Sequence, residues 1–231
     1  MRDDVYVVNR HELKYYVSIS EYYYLKQLLQ TIMEPDLNAN DNGEYYIRSL
    51  YFDSVDNMDY YTKLAGIENR KKIRLRIYNT DTDKVKLEVK NKFNTSIKKE
   101  SLIIDRDEAV KLINTDTTFL DKYNEKVSTS VKNYMTNHLY FPKVIVDYER
   151  EAFVDKEHGV RITFDKNVRC TYSDRLFDKT LGLIPISQNS IFILEVKYNE
   201  LLPNVIKKML CTGRVLNSSI SKYCMARELV G

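Results

Sequence analysis

The sequence predicts an α+β fold: an eight-stranded antiparallel sheet closed into a barrel, with a basic lumen inside and helices around it. Three observations predict it. Eight segments alternate apolar and polar residues with period two, as half-buried strands do. Several connections are short enough for hairpins, as at "NKFN" before residue 95, which favours antiparallel pairing. And the polar face of most strands carries arginine and lysine with a sparse acid between them. Interior and exterior residues alternate along barrel strands, so such faces can share one interior.

The elements follow in order. "RHELKYYV" (10–17) puts Arg10, Glu12 and Lys14 on one face. "SISEYYYLKQLLQTIM" opens on Ser18 with Glu21 three residues on, a capping box. "YYIRSLYFD" (45–53) reads as a strand, and "DNMDYYTKL" (56–64) as a short helix capped by Asp56. "KKIRLRIY" (71–78) sets Ile73, Leu75 and Ile77 against Arg74 and Arg76. "KVKLEVKNK" (84–92) sets Val85, Leu87 and Val89 against Lys86, Glu88, Lys90 and Lys92. "TSIKKESLII" (95–104) is the next strand. "DRDEAVKLIN" (105–114) begins with acids and carries an apolar stripe at Ala109, Leu112 and Ile113, and a longer helix is predicted through 119–139. "KVIVDYERE" (143–151) puts Tyr148 and Arg150 together; "VRITFD" (160–165) does the same for Arg161, Thr163 and Asp165; "SIFILEVKY" (190–198) does so for Glu195 and Lys197. "LPNVIKKMLCTG" (202–213) has a proline near its start and a glycine at its end, as helices prefer.

Composition narrows the class. The 231 residues are 43% hydrophobic and 30% charged, which is globular, and the net charge of +3 confines any basic site to local clustering. With 6 Gly and 4 Pro, no linker or low-complexity tract is visible, so a single domain over 1–231 is expected. Cys170, Cys211 and Cys224 are odd in number and lack C-x-x-C spacing, against a disulfide framework or zinc site. The N-terminus has no apolar signal core and no run of about 18 apolar residues exists, so a cytoplasmic protein without membrane insertion is expected.

On any single strand, the charged face reads as solvated, and edge lysines guard against aggregation. Repetition over at least five strands favours the shared interior. Buried like charges repel and lose hydration, so a cationic lumen needs a polyanion. Phosphate chains fit, because arginine's planar fork matches phosphate oxygens. The few carboxylates would hold a divalent metal that bridges such oxygens.

The ordered pieces "RHELKYYV", "SLYFDS", "KLAG", "RLRIY", "LEVKNK", "KKES", "VDYEREAF", "VRITFD", "LEVKY" and "SKYCMARE" resemble the VTC domain, the polyphosphate polymerase domain of the vacuolar transporter chaperone type. That family lies in the triphosphate tunnel metalloenzyme, or CYTH-like, superfamily. The resemblance implies a tunnel that takes ATP and polyphosphate, or another triphosphate, with Mn²⁺ or Mg²⁺, and a metal-dependent phosphotransferase activity. It assigns Lys14, Lys63, Lys90, Lys99 and Lys222 to phosphate binding. It assigns Arg74, Arg76, Arg150, Arg161 and Lys197 to the transferring phosphoryl group. It gives Glu195 to the metal, with Glu12 in support. Arg10 stands where the wider superfamily has the first glutamate of E-x-E-x-K, a shift from hydrolase toward transferase. Fungal relatives carry a sensing domain and a membrane region, for which this chain has no room, so a separately encoded membrane partner is compatible.

Other readings attach to particular residues. Lys98 competes with Lys99 for the interior, since a bulge could exchange them. Glu88 reads as an interior ion-pair partner, Asp165 as a partner of Arg161, Arg48 and Lys86 as surface or rim, and His11 as packing. A triphosphatase and a non-catalytic polyphosphate or nucleotide sensor remain alternatives to the polymerase. Nucleic acid is not an expected partner, because acids alternate with the basic residues and the net charge is low.

Overall fold

The computed structural model describes residues 10–40, 42–93, 96–188, 190–212 and 218–231. Gly213 and the connection at 94–95 fall outside them. The strands are β1 (Arg10–Ser18), β2 (Glu34–Pro35), β3 (Glu44–Asp53), β4 (Arg70–Ile77), β5 (Lys84–Phe93), β6 (Ser96–Asp105), β7 (Phe141–Asp155), β8 (Val160–Thr171), β9 (Ile184–Pro185) and β10 (Ile191–Asn199). The helices are α1 (Ile19–Gln30), α2 (Met58–Leu64), α3 (Arg106–Ile113), α4 (Lys126–Asn137), α5 (Asn204–Thr212) and α6 (Lys222–Val230). All eight predicted strands are present, and the two-residue β2 and β9 are additional.

The ladder order is β1-β10-β8-β7-β3-β4-β5-β6, with β2 beside β7 and β9 beside β8. No ladder joins β1 to β6 among the described residues, so the fold is α+β with a large antiparallel sheet whose closure is not seen. Period-two patterning fixes which face a side chain takes. Closure depends on strand tilt and stagger, which that pattern does not encode.

The chain forms two compact units. Among the described residues the first comprises 10–45, 150–166 and 190–220. Here β1 pairs with β10 from Arg10↔Asn199 to Ser18↔Ile191, and β10 with β8 from Ile193↔Asp165 to Lys197↔Arg161. One face of these strands, with Tyr15, Val17, Ile162, Phe164, Leu194 and Val196, packs on Leu25 and Leu29 of α1 and Ile206 of α5. The predicted capping box starts α1: Ser18 Oγ accepts from the Glu21 amide at 3.3 Å, and Glu21 accepts from the Ser18 amide at 2.6 Å.

The second unit comprises 46–149, 167–188 and 221–231. Its strands β3, β4, β5 and β6 pair in sequence, all antiparallel. Ile73, Leu75 and Ile77 are fully buried and pack with Ala109 and Leu112 of α3 and Val127, Val131 and Met135 of α4. Each such side chain contributes about 1.5–3 kcal/mol. The outward apolar face predicted for "KKIRLRIY" is therefore covered by helices, as expected.

Three local expectations are corrected. The helix α2 is not capped by Asp56. Asn57 precedes it in the left-handed region (φ 55), and its first amides donate instead to Ser54 Oγ and to both oxygens of the buried Asp53. The helix expected through 119–139 is split into a 3-10 turn at Thr118–Lys122 and α4. Tyr123 between them is extended, its hydroxyl donating to Glu108 of α3 at 2.8 Å, and that tether ends the turn. Third, Arg48 is not a surface residue. It is buried, with Nε and Nη2 each 2.9 Å from the Asp147 carboxylate and Nη1 donating to the carbonyls of Leu176 and Asp178.

No described helix is long and apolar enough to cross a membrane.

Candidate phosphate-binding faces

Each unit turns one strand face to its apolar core and the other carries the charges. In the first unit, antiparallel register lines up Lys14, Glu195 and Thr163 in one cross-strand row, and Glu12, Lys197 and Arg161 in the next. Directly opposed residues share a face with Cβ atoms about 5 Å apart. Lys14 Nζ lies 2.9 Å from Glu12 Oε1 and 3.3 Å from Glu195 Oε2. The other Glu195 oxygen contacts Lys197. Burial alone would lower the Lys14 pKa, but Glu195 and Glu12 outweigh it and hold the ammonium charged. Lys197 goes the other way: burial pushes it down and Arg150 adds to the fall, against the pull of Glu195.

Arg150 forks onto Asp165, with Nε at 2.5 Å and Nη2 at 2.8 Å. Asp165 therefore pairs with Arg150 and not with Arg161, as the sequence had suggested. They are on different strands, so the pairing depends on a register that period two leaves open. Arg161 instead reaches Asp36 and the Tyr45 hydroxyl. Burial tends to raise Asp36, but the Asn38 amide groups and Arg161 hold it below the usual carboxylate range.

In the second unit three adjoining rows form a basic face. They are Lys72–Lys90–Lys99, Tyr51–Arg74–Glu88–Ser101 and Ser49–Arg76–Lys86–Ile103. Glu88 is the one carboxylate in these rows. It is 1% exposed and lies 2.7 Å from Arg74 Nε and 3.6 Å from Arg76 Nε, with Lys99 on its other oxygen. Burial would raise its pKa, yet Arg74, Arg76 and Lys99 drive it well below the usual range. Lys99, not Lys98, shares this face; no bulge intervenes, and Lys98 pairs with Glu100 on the reverse side. Burial, with help from the two guanidiniums, lowers Lys99 to about 8 in spite of Glu88.

Around these rows, Arg74 Nη1 donates to the Tyr51 hydroxyl at 3.0 Å. Burial would raise that phenol, but Arg74 and Arg76 hold it below its ordinary value. Lys222, at the first turn of α6, stands 4.9 Å from the Tyr148 ring centroid. Lys63 lies on the last turn of α2 and outside the three rows. His11 is exposed and stacked on Tyr198. The sequence reading missed Lys72 and Tyr51. Lys72 was legible, being two residues before Arg74 on the same face, and its Nζ donates to Ser221 Oγ at 2.7 Å. Nothing local marks Tyr51; its role comes from the register that sets it opposite Arg74.

The residues of the first unit fit a hard divalent cation. Glu12 and Glu195 converge on one ammonium, and the buried Thr163 hydroxyl in the same row has no hydrogen-bond partner among the described residues. No group of three or more His, Cys, Asp or Glu placed to hold a metal occurs among the described residues. Two carboxylates are what Mg²⁺-like ions take from a protein when phosphate oxygens and water supply the rest.

Solved structures with this fold come from distant sources. Hippeastrum HpAC1, solved with a dominant triphosphatase activity, is 14% identical over 95% of this chain and 96% of its own, with a TM-score of 0.56. The PH1819 protein of Pyrococcus horikoshii OT3 is 14% identical over 95% and 99%, with a TM-score of 0.52. The bh2851 protein of Bacillus halodurans, solved as a candidate adenylate cyclase, is 11% identical over 92% and 95%, also at 0.52. At these identities the likeness establishes a shared fold. No curated protein matches in sequence. The VTC domain family model matches residues 9–230, nearly the whole chain. The ordered strand motifs, the charged strand faces and this match agree: the chain belongs to the VTC domain family.

Proposed function

We propose that this protein is a polyphosphate polymerase-like phosphotransferase that binds the triphosphate of ATP and transfers the γ-phosphoryl group to a polyphosphate end, in the cytoplasm. The observation that carries the reading is the basic face of β4–β6, where Lys72, Arg74, Arg76, Lys86, Lys90 and Lys99 share three adjoining rows with one carboxylate, Glu88, which Arg74, Arg76 and Lys99 contact. A strand face with six cations and one carboxylate favours a bound anion, and a phosphate chain supplies charge at regular spacing.

Phosphoryl transfer asks for in-line positioning and for charge stabilisation on the transferring group, with little covalent help from the protein. Arg74 and Arg76 are already oriented by Glu88 and Tyr51, so they meet a phosphoryl group without reorganising. Arg150 is fixed by Asp165 and Arg161 by Asp36. Lys14, Lys63, Lys90, Lys99, Lys197 and Lys222 act as point charges for the rest of the chain. Glu195 and Glu12 would hold Mn²⁺ or Mg²⁺, which when bound neutralises phosphate charge. Lys14, whose ammonium lies between those two carboxylates, would meet phosphate with the ion in place.

A triphosphatase is the second reading, favoured by the triphosphatase activity of the Hippeastrum neighbour. Both readings need the same binding groups and differ only in the acceptor. The test of the shared part is ATP turnover with Mn²⁺. Arg74→Ala should lower kcat/KM by about 10²-fold or more. Glu195→Gln should lower turnover similarly while ATP binding persists. Binding of ATP by the unaltered protein with no turnover in any divalent metal would leave a sensor instead.

A further inference from the structure

A cavity of about 610 Å³ opens in the second unit, lined by residues 113–115, 141–143, 171–175 and 181–182. That volume is in the range of small-molecule sites. It does not belong to the phosphate-binding face. Strand alternation puts Lys143 on the same side of β7 as Ile145, which joins the helix-covered core, whereas Tyr148 points to Arg76 on the other side.

Lys143 is the unusual member. It is 6% exposed, yet its ammonium makes no hydrogen bond or ion pair with any described residue. Its ammonium sits 3.7 Å from the centroid of Phe141, which also lines the cavity. An aromatic face offsets part of a desolvated charge, but a buried ammonium without an anion is costly. Burial accordingly pushes its amine below the ordinary lysine range; Arg227 adds to the fall and Asp53 and Asp56 oppose it, neither within ion-pair distance. The rest of the wall is mixed. Ser173 and Tyr172 bring hydroxyls, and Tyr172 and Phe141 bring ring surface. Arg175 also lines it, 67% exposed and paired with Asp178 at 2.9 Å. Asp174 also lines the cavity, and a carboxylate there disfavours a long polyanion.

We propose that this cavity is a second binding site, for a small organic anion whose single phosphate or carboxylate group pairs with Lys143 while its body lies against Phe141 and Tyr172. The anion supplies the partner that the fold leaves out, and the rings supply the apolar contact. The site is distinct from the triphosphate site and does not depend on its chemistry.

The test uses the full chain and two probes, phenyl phosphate and inorganic phosphate, followed by the backbone amide resonances of residues 141–143 and 171–175. Saturable shifts are expected with both, with phenyl phosphate binding more tightly. Lys143→Met keeps the aliphatic stem and should weaken both by about tenfold or more, with the spectrum otherwise folded. Labelling with an amine reagent, read by mass spectrometry, adds a second check: phenyl phosphate should protect Lys143 and leave the exposed Lys84 unchanged. Absence of saturable shifts, or equal shifts in Lys143→Met, overturns the site. Equal affinity for the two probes overturns the organic body.

Discussion

Glu88 and Asp59 show how one carboxylate can serve a fold in opposite ways. Glu88 is buried among cations and ionises more readily than in an unfolded chain. Its contribution is therefore complete above the ordinary glutamate range and lost only as the pH falls through its depressed value. Glu88→Gln keeps the shape and removes the counter-charge of Arg74, Arg76 and Lys99. Removing one partner of a buried pair costs about 3–5 kcal/mol, and the half-exposed Lys99 puts this case at the lower end, about 3 kcal/mol. Inorganic triphosphate should restore more stability to the variant than to the parent in urea unfolding. A loss below about 1 kcal/mol would contradict the account of this face. Asp59 is 2% exposed, and burial raises its carboxyl to about 6 although Lys71 lies 3.4 Å away. The native state then holds a proton that the unfolded state releases near 4, so stability falls as pH rises between those values. The shift corresponds to about 3 kcal/mol at most. Asp59→Asn should flatten the unfolding free energy between about pH 4 and pH 6; an unchanged slope would contradict it. Neither carboxylate is equally legible from sequence. Glu88 announces itself by alternation with Lys86 and Lys90, whereas Asp59 lies in a polar run and owes its state to burial, with the Asp53 carboxylate adding to the rise.

Among the elements, strands were the easier to read. Period two is a local signal, and each of the eight runs carries it. The capping box at Ser18–Glu21 is local too, and it is formed; the one at Asp105–Glu108 is also formed, though only the acidic start of that helix was read. The start of α2 is different. Its amides are held by Asp53, which lies across a turn and also accepts from Tyr223 of α6 at 2.5 Å. Nothing in "DNMDYYTKL" reveals that acceptor. Arg48 was misread for a similar reason: its partner Asp147 is 99 residues away along the chain. The α6 helix escaped notice because its nine residues carry a weak apolar stripe and it is held by Asp53 and by the Ser221 cap. Asp53→Ala leaves the Ser54, Asp59 and Tyr60 amides and the buried Tyr223 phenol without their acceptor, a loss of about 3 kcal/mol or more. Hydrogen exchange should show the Asp59 and Tyr60 amides losing protection, together with α6. Retained protection at those amides would show that Asp53 is not the link between the two helices.

At the scale of the molecule, the +3 net charge conceals strongly basic strand faces, because acids elsewhere compensate. The character of those faces, and the family, could be read from the chain; the closure of the sheet could not, since curvature is not written in alternation. The acceptor of the phosphoryl group is a further step, because polymerase and triphosphatase place the same cations around the same phosphates. Product analysis separates them. Purified protein incubated with ATP and Mn²⁺ and resolved on a polyacrylamide gel should yield long polyphosphate ladders, abolished by Glu195→Gln. Free phosphate or short products alone, from protein that turns over ATP, would contradict the polymerase assignment.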